Sequence, residues 1–484
     1  MTRCLASLIA PAIILAGSRA AADTIHVPVG GDIQKAINMS ATGDVIQLDA
    51  GVYQPNYTLD TIGRAITIRG AVDEQDAPMS RIDGRASIRV LQCVSGEDST
   101  TILENLVLTN GRSEDGAGMY CQGSSPMLVN CTFTDNIALN ESDGGALHNT
   151  QGSPTLTECK FTRNVARFGG AVYCTGGTPV LTDCIFRSNI ATDHGGGMYN
   201  DASDPTLSGC TFWDNTATER GGGVCNGGGS NPTMTDCTFS ENSSLASDAT
   251  HGGGGMFNDG SDPELIDCTF TDNTAVGFGG GMKNDGSSPI LTDCTFAGNT
   301  AEIGGAIRNL DSGPVLTGCS IVGNVAGENA GGMSCSGGDT TLAGTTVCSN
   351  TPNQIQGFWE DLGANCVSMS CDDCLNCPDA DDDGVCDGLD QCPGEPDIDS
   401  DGDGVPDCID DCPTDPQKTG PGRCGCNRID TDVAGDYDCD GDFDLDDYAA
   451  MGIDLGVCPG DMNGDGLVDG EDLTIVLGAW GVCP

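Results

Sequence analysis

Between about residue 115 and residue 350 the chain repeats one pattern of apolar and polar positions. A Cys recurs at 131, 159, 184, 210, 237, 268, 294 and 319, at intervals of 25 to 31 residues. Two positions after each Cys stand Phe133, Phe161, Phe186, Phe212, Phe239, Phe270, Phe296 and then Ile321. Five positions after it stand Asn136, Asn164, Asn189, Asn215, Asn242, Asn273, Asn299 and Asn324. Cys and Phe two apart, commonly with Thr between them, share one face of a short strand while Thr faces out. Upstream, "PTL", "PVL" or "PIL" predicts a second short strand, and downstream "GGGMYN", "GGAIRN" or "GGMKN" predicts a third. Dense glycines and the lack of apolar residues at 3.6 spacing in the repeat argue against paired helices.

A period of this length means a solenoid, in which one coil cannot bury its apolar face alone. Three short strands per coil make the fold class all-β, a right-handed parallel β-helix solenoid. Equivalent residues of neighbouring coils then lie about 4.8 Å apart, so like stacks on like. Phe on Phe gives offset aromatic stacks. Asn tolerates left-handed backbone at a turn, and its amide can bond to the Asn above and below. The stacked cysteines are compatible with buried free thiols, with rung-to-rung disulfides, or with a bound metal, although single cysteines at this interval are not a zinc-binding spacing. A second internal column reads Cys121, Asn149, Cys174, Asn200, Asn226, Asn258, Asn284, Asn309 and Cys335. At the start, Ile33, Ala36 and Ile37 share one face of a helix-like segment ahead of strand-like Val45 to Leu48, suited to covering the first open coil. Phe358 and Trp359 are placed to close the last one.

The paired motifs GGAL (144–147), GGAV (169–172) and GGAI (304–307) alternate with FTDN, FTRN, FRSN, FWDN, FSEN and FAGN. This set resembles the repeats of bacterial polymorphic outer-membrane proteins, and the opening segment is similar to the start of pectin-lyase-like β-helix proteins. The resemblance covers about residues 25 to 365 and implies surface display or adhesion. The C-terminal membrane barrel usual in the former family has no counterpart in the sequence.

The first 22 residues read as a secretory signal peptide, with Arg3, an apolar stretch from Leu5 to Ala16 and small residues at 20–22. No later apolar run is long enough for a membrane-spanning helix. The formal net charge is −53, which repels nucleic acid and anionic membranes and favours cations. Residues 371–484 hold 32 Asp or Glu against three basic side chains, so a boundary lies near residue 370. The expected organisation is a signal peptide (1–22), a β-helix (23–370), small disulfide and calcium loops (371–428) and a small α-helical module (429–484).

Alternating carboxylates followed by Gly wrap oxygen ligands around a hard cation, and calcium fits best. "DADDDGVCDGLDQC" presents Asp379, Asp381, Asp383, Asp387 and Asp390; "DSDGDGVPDCIDDC" presents Asp399, Asp401, Asp403, Asp407 and Asp410. Cysteines 377 to 412 can staple segments too small to own a core. These loops resemble thrombospondin type 3 repeats. Two further loops follow the EF-hand pattern with Asp in the last position. One offers Asp436, Asp438, Asp440, Asp444 and Asp447, with the carbonyl of Asp442; the other offers Asp461, Asn463, Asp465, Asp469 and Asp472, with the carbonyl of Leu467. The duplication resembles a type I dockerin, a module that docks onto cohesins. Where dockerins commonly carry Ser-Thr and Lys-Arg, this chain has Leu445-Asp446 and Gly470-Glu471, then Gly452-Ile453 and Leu477-Gly478. The resemblance therefore implies calcium binding and leaves open whether the module meets a cohesin-like partner or packs against the preceding domain.

For catalysis the nearest candidate is Asp193-His194 before "GGG", with His251 at a similar place two coils on. Other coils hold Asp143, Phe168, Arg220, Phe278 and Ile303 there, a variation expected of a solvent-facing turn. No catalytic residue is assigned. The insertions "IALNESD" and "SSLASDATH" lengthen this same turn, marking one variable edge beside Arg167 and Arg220. The reading is a secreted, calcium-binding extracellular or cell-surface protein that binds rather than catalyses, contacting a polysaccharide or another partner along that edge. The alternative is a polysaccharide lyase or glycoside hydrolase recruited through the dockerin-like end. The exported chain is expected to take up calcium at millimolar concentration; equilibrium dialysis showing no uptake would remove the ligand assignment of all four loops.

Overall fold

The computed structural model describes residues 22–248 and 250–371, with residues 374, 400, 413 and 414 besides. These residues form a parallel β-solenoid with almost no helix. Its strands stack into sheets of 14, 13, 12 and 9 strands, each strand pairing in parallel with its copies one coil before and after. The first three are the expected ones, here named by the side chain each points inward: the Leu, Phe and Asn sheets. The fourth is a correction to the three-strand coil. It consists mostly of two-residue strands such as Val165–Ala166 and Ile190–Ala191, just after the Asn column. Two residues are too few to display alternation, so periodicity does not reveal them. Their inward residue is small, as in Ala191 and Ala217, both fully buried.

The columns align as the spacing predicts. Phe133 to Phe296 are register partners in successive coils. Their ring centroids lie 4.4 to 5.1 Å apart, and every ring in the column is fully buried. The Asn column solves a harder problem, because a buried primary amide must satisfy two donors and an acceptor oxygen. Asn215 donates from Nδ2 to Asn242 Oδ1 and to the Phe186 carbonyl, each at 2.9 Å. Its own Oδ1 accepts from the backbone N (3.1 Å) and the Nδ2 (2.9 Å) of Asn189. The same four bonds recur along the column until Gln354 Oε1 takes the place of the next Asn.

One local detail differs from expectation. The left-handed backbone belongs to the residue before each Asn and not to the Asn itself. Asp135, Arg163, Ser188, Asp214, Glu241 and Asp272 have φ between 52° and 59°. That corner turns the chain so that the following amide points inward along the axis. A matching left-handed corner, including Glu158, Asp183 and Asp236, precedes each Cys.

Of the states open to the Cys column, the structure has free buried thiols. Most point at a carbonyl of the preceding coil, as Cys184 Sγ does toward Leu156 O at 3.7 Å. Burial pushes the Cys159 thiol well above its ordinary value. The bridges found lie at the C-terminal end, Cys348–Cys371 and Cys366–Cys374.

The N-terminal end is covered as anticipated, and of the two aromatics expected at the far end Trp359 packs on the core. The helix Ile33–Met39 buries Ile33, Ala36 and Ile37, and Asp32 caps it by accepting from Lys35 N at 3.0 Å. No helix among the described residues is long and apolar enough to cross a membrane.

Replacing Asn215 by Ala strands the backbone N of Asn189 and one of its two Nδ2 bonds, and leaves Asn242 Oδ1 with the backbone N of residue 215 alone. A loss on the order of 3 kcal/mol is expected, against about 1 kcal/mol for Phe212→Leu. Urea unfolding of the two variants checks the order, and equal losses would show that the amide ladder contributes no more than shape.

Candidate functional site

All the proposed calcium ligands, from Asp379 to Asp472, lie outside the described residues. The chemistry within them gathers on the outer face of the Asn sheet. Its strands read Met-Tyr-Cys, Leu-His-Asn, Val-Tyr-Cys, Met-Tyr-Asn and onward, so the middle residue points away from the core. In register this outer column runs Tyr120, His148, Tyr173, Tyr199, Cys225, Phe257, Lys283 and Arg308. An outward column would ordinarily be solvated. Here His148, Tyr173, Cys225, Phe257 and Lys283 are buried.

The cover is the turn that the sequence suggests faces solvent. Its residues form a second column, Asp115, Asp143, Phe168, His194, Arg220, Gly252, Phe278 and Ile303, several of them linked coil to coil by parallel bridges. Glycine lets this turn press close. A Cβ on Gly222 would meet Gly254 O at 2.4 Å and the backbone of Ser243 at 2.5 Å. The turn column thus becomes a wall packed against the outer column. Phe168 stacks on Tyr199 (5.2 Å) and on His194 (5.0 Å), and the Arg220 guanidinium lies 4.9 Å from the Phe257 ring centre. Both insertions that mark the variable edge begin in the fourth sheet, at Ile137–Ala138 and Ser243–Ser244, just ahead of this wall.

The strip has two chemical halves. Toward the C-terminal end it is cationic and aromatic. Lys283 is fully buried, contacts the rings of Phe257 and Phe278, and donates to His251 O at 3.3 Å. Burial pulls its amine down to about 8. Toward the N-terminal end it is acidic and aromatic. Asp115 Oδ1 accepts from Asp143 N (3.0 Å), and Asp143 Oδ1 from Phe168 N (3.3 Å). Burial, reinforced by the nearby Asp115, pushes the Asp143 carboxyl up to about 6. Burial draws His148 below its ordinary value, favouring the neutral ring. Burial likewise raises the Tyr173 and Tyr199 phenols, which stay protonated, and the Tyr173 hydroxyl donates to Asp201 at 3.2 Å.

The residues singled out from sequence are partly brought together. Asp193 is engaged by Arg167 at 2.9 Å. His194 and His251 approach the same oxygen of Glu219, at 3.6 and 3.3 Å, and His251 also approaches Asp248 at 2.7 Å. No group of three or more His, Cys, Asp or Glu among the described residues is arranged to hold a metal. What the sequence reading missed is the outer column itself. Its signal was present, because Tyr, His, Phe, Lys and Arg stand where the other strands commonly carry Thr.

The family model described as right handed beta helix region matches residues 84–218 and 214–351. The chain belongs to this family. No curated protein matches it by sequence. Among solved structures, the β-helix is similar to the catalytic domain of a GH87 α-1,3-glucanase in complex with nigerose, at 11% identity and a TM-score of 0.40, covering 72% of this chain and 69% of that one. It is also similar to a Dettilon tailspike protein (10%, 0.40, 66% and 64%) and to a pectate lyase (13%, 0.35, 66% and 78%). These likenesses carry no argument about activity.

The raised Asp143 acid gives a pH signature. Its folded-state value lies above the unfolded one, so the folded protein holds the proton more tightly and stability falls as pH rises from about 4 to 6. Asp143→Asn is expected to remove this slope and raise the thermal midpoint at pH 7. A midpoint that keeps its slope in the variant would show that Asp143 is not the group titrating.

Proposed function

We propose that this protein is a secreted, calcium-bound β-helix protein of the extracellular space or cell surface that binds a neutral polysaccharide along the outer strip of the Asn sheet. The observation that carries the binding reading is the register-locked outer column, half-covered by its wall. Toward its N-terminal end it presents the rings of Tyr120, His148, Tyr173 and Tyr199 in successive coils, about 4.8 Å apart, with the carboxylates of Asp115, Asp143 and Asp201 beside them. A regular lattice of alternating apolar and hydrogen-bonding groups suits a polymer that repeats its own hydroxyls and CH surfaces. Asp115, Asp143, Asp193 and Asp201 beside the rings disfavour polyuronates such as pectin and alginate. The leader-like start supports export. The acidic loops support calcium, and the dockerin-like end supports attachment to a cohesin-like or other surface partner.

A second reading, a polysaccharide-processing enzyme held near its substrate by that end, is favoured by the raised Asp143 acid beside Asp115. A glycan array probed with the full chain, with and without chelator, tests the binding reading. Neutral glycans are expected to bind, and Tyr120→Ala or Tyr199→Ala to weaken binding about tenfold, equivalent to about 1.4 kcal/mol. Binding that ignores both tyrosines would move the contact away from this strip.

A further inference from the structure

We propose that a pocket at the N-terminal end of the strip binds the terminal ring of a neutral polysaccharide, so that the protein meets its glycan at a chain end. This rests on the strip being a glycan-binding surface, and it adds which part of the polymer is held.

The strip does not stop at Tyr120. Toward the N-terminus its column continues in register through Gln92 to Asp60, and Gln92 Nε2 donates to Asp60 Oδ2 at 2.8 Å. The backbone of Asp60 is in turn held by the Gln34 side chain of the cap helix, at 2.8 and 2.9 Å. Residues 54–58 join the Phe-sheet strand Gly51–Tyr53 to the Asn-sheet strand Leu59–Asp60, so this loop takes in the first coil the place of the wall. Between it and the approach to the cap helix lies a cavity of about 190 Å³, lined by Gly30, Asp32, Tyr53, Gln54, Asn56 and Tyr57 among others. Pockets for drug-sized ligands enclose roughly 300–1,000 Å³. The smaller volume suits one sugar ring.

Tyr57 is 47% exposed, and its ring is nevertheless pinned, because the hydroxyl donates to Asp32 at 3.1 Å. That hydrogen bond holds the phenol above its ordinary value and so keeps it neutral. An open aromatic ring fixed in place is a surface for the C–H face of a pyranose. Beside it stand two planar amides anchored from the following coil. Arg85 Nη2 donates to Pro55 O at 3.1 Å and to Asn56 Oδ1 at 2.9 Å, and Gln54 Nε2 donates to Asp83 Oδ2 at 3.1 Å. Among the described residues Asn56 Nδ2 and Gln54 Oε1 make no hydrogen bond, which leaves one donor and one acceptor for the hydroxyls of a ligand.

Charge selects a neutral ring. Asp32 in the lining and Asp83 behind it disfavour an acidic sugar, and the Arg85 guanidinium is occupied by the loop itself. A Cβ on Gly30 would meet nothing within 4 Å, so the rim beside it is open. The cap helix packs on strand Leu59–Asp60 and closes the stack of coils there. A polymer lying along the strip therefore reaches the cap with its last ring, at the pocket.

The test uses the full chain with calcium and ligand-observed NMR with glucose, galactose, mannose and xylose. At least one of these is expected to bind, and a neutral oligosaccharide that binds on the array is expected to displace it. Tyr57→Ala and Gln54→Ala are each expected to weaken the monosaccharide about tenfold, and Tyr199→Ala to leave it within about twofold. Circular dichroism confirms that the variants fold, and Gln54, exposed on its loop, is the position least able to disturb the cap. Titration with short chains of the same glycan and with chains about tenfold longer, at equal mass, is expected to fill sites in proportion to the number of chain ends. Filling that follows mass places the contact inside the chain and overturns end recognition. Absence of monosaccharide binding, or binding that ignores both Tyr57→Ala and Gln54→Ala, overturns the pocket, while array binding weakened by Tyr199→Ala keeps the strip reading. Failure of every neutral glycan to bind on the array removes the strip reading and this proposal with it.

Discussion

A buried side-chain amide must have its donors and acceptor filled, and in this solenoid that happens only through the same residue one coil away. Each Asn of the column from 136 to 324 takes bonds from the coil before and gives one to the Asn of the coil after. Removing a rung costs the desolvation of its neighbours as well as its own bonds, so the ladder is cooperative along the axis. The column needs a terminator at each end. Gly111 N donates to the first Asn, and the Gln354 side chain meets the last. The stacked phenylalanines and thiols beside it obey the same one-coil period but demand less, since apolar contact is not directional.

This inner regularity frees the outside to vary. Once the amides lock each coil to the next, any outward position recurs at a known height and on a known face, whatever its side chain. The middle residue of the Asn-sheet strands uses that freedom, passing from Tyr and His through Phe to Lys and Arg. Glycine in the adjacent turn brings backbone within a Cβ's reach of its neighbour and lets the turn lie against this column. Desolvation follows from that packing, and with it the raised Asp143 acid, the lowered Lys283 amine and the neutral His148 ring.

The inner columns were legible in the sequence because a stacked residue has one job in every coil, so its identity repeats. The cap helix was legible for a similar reason, its three buried positions sharing one helical face. The fourth sheet was not, since its two-residue strands are shorter than the period that would reveal them. Nor was the placing of the left-handed residues: Asp, Arg, Ser and Glu all fill that corner, and their variety hides a common backbone. The contact of the wall with the outer column was not legible because its residues, half-exposed in the structure, differ from coil to coil. Variation there reflects different partners in the outer column, as with Phe168 on Tyr199 and Arg220 on Phe257.

The sequence alone was sufficient for the period, the stacking columns, the all-β solenoid and its closed N-terminal end, because each follows from side-chain type at a repeating interval. The acidic loops of the tail are likewise written in local spacing, as an expectation of calcium. Only the tertiary structure decided that the thiols of the column are unbridged, that a fourth sheet exists, and that Asp115, Asp143 and His148 meet. Those facts depend on distances between chain segments about one coil apart, and on how much water the packed wall excludes. Neither quantity is a property of any short stretch of sequence.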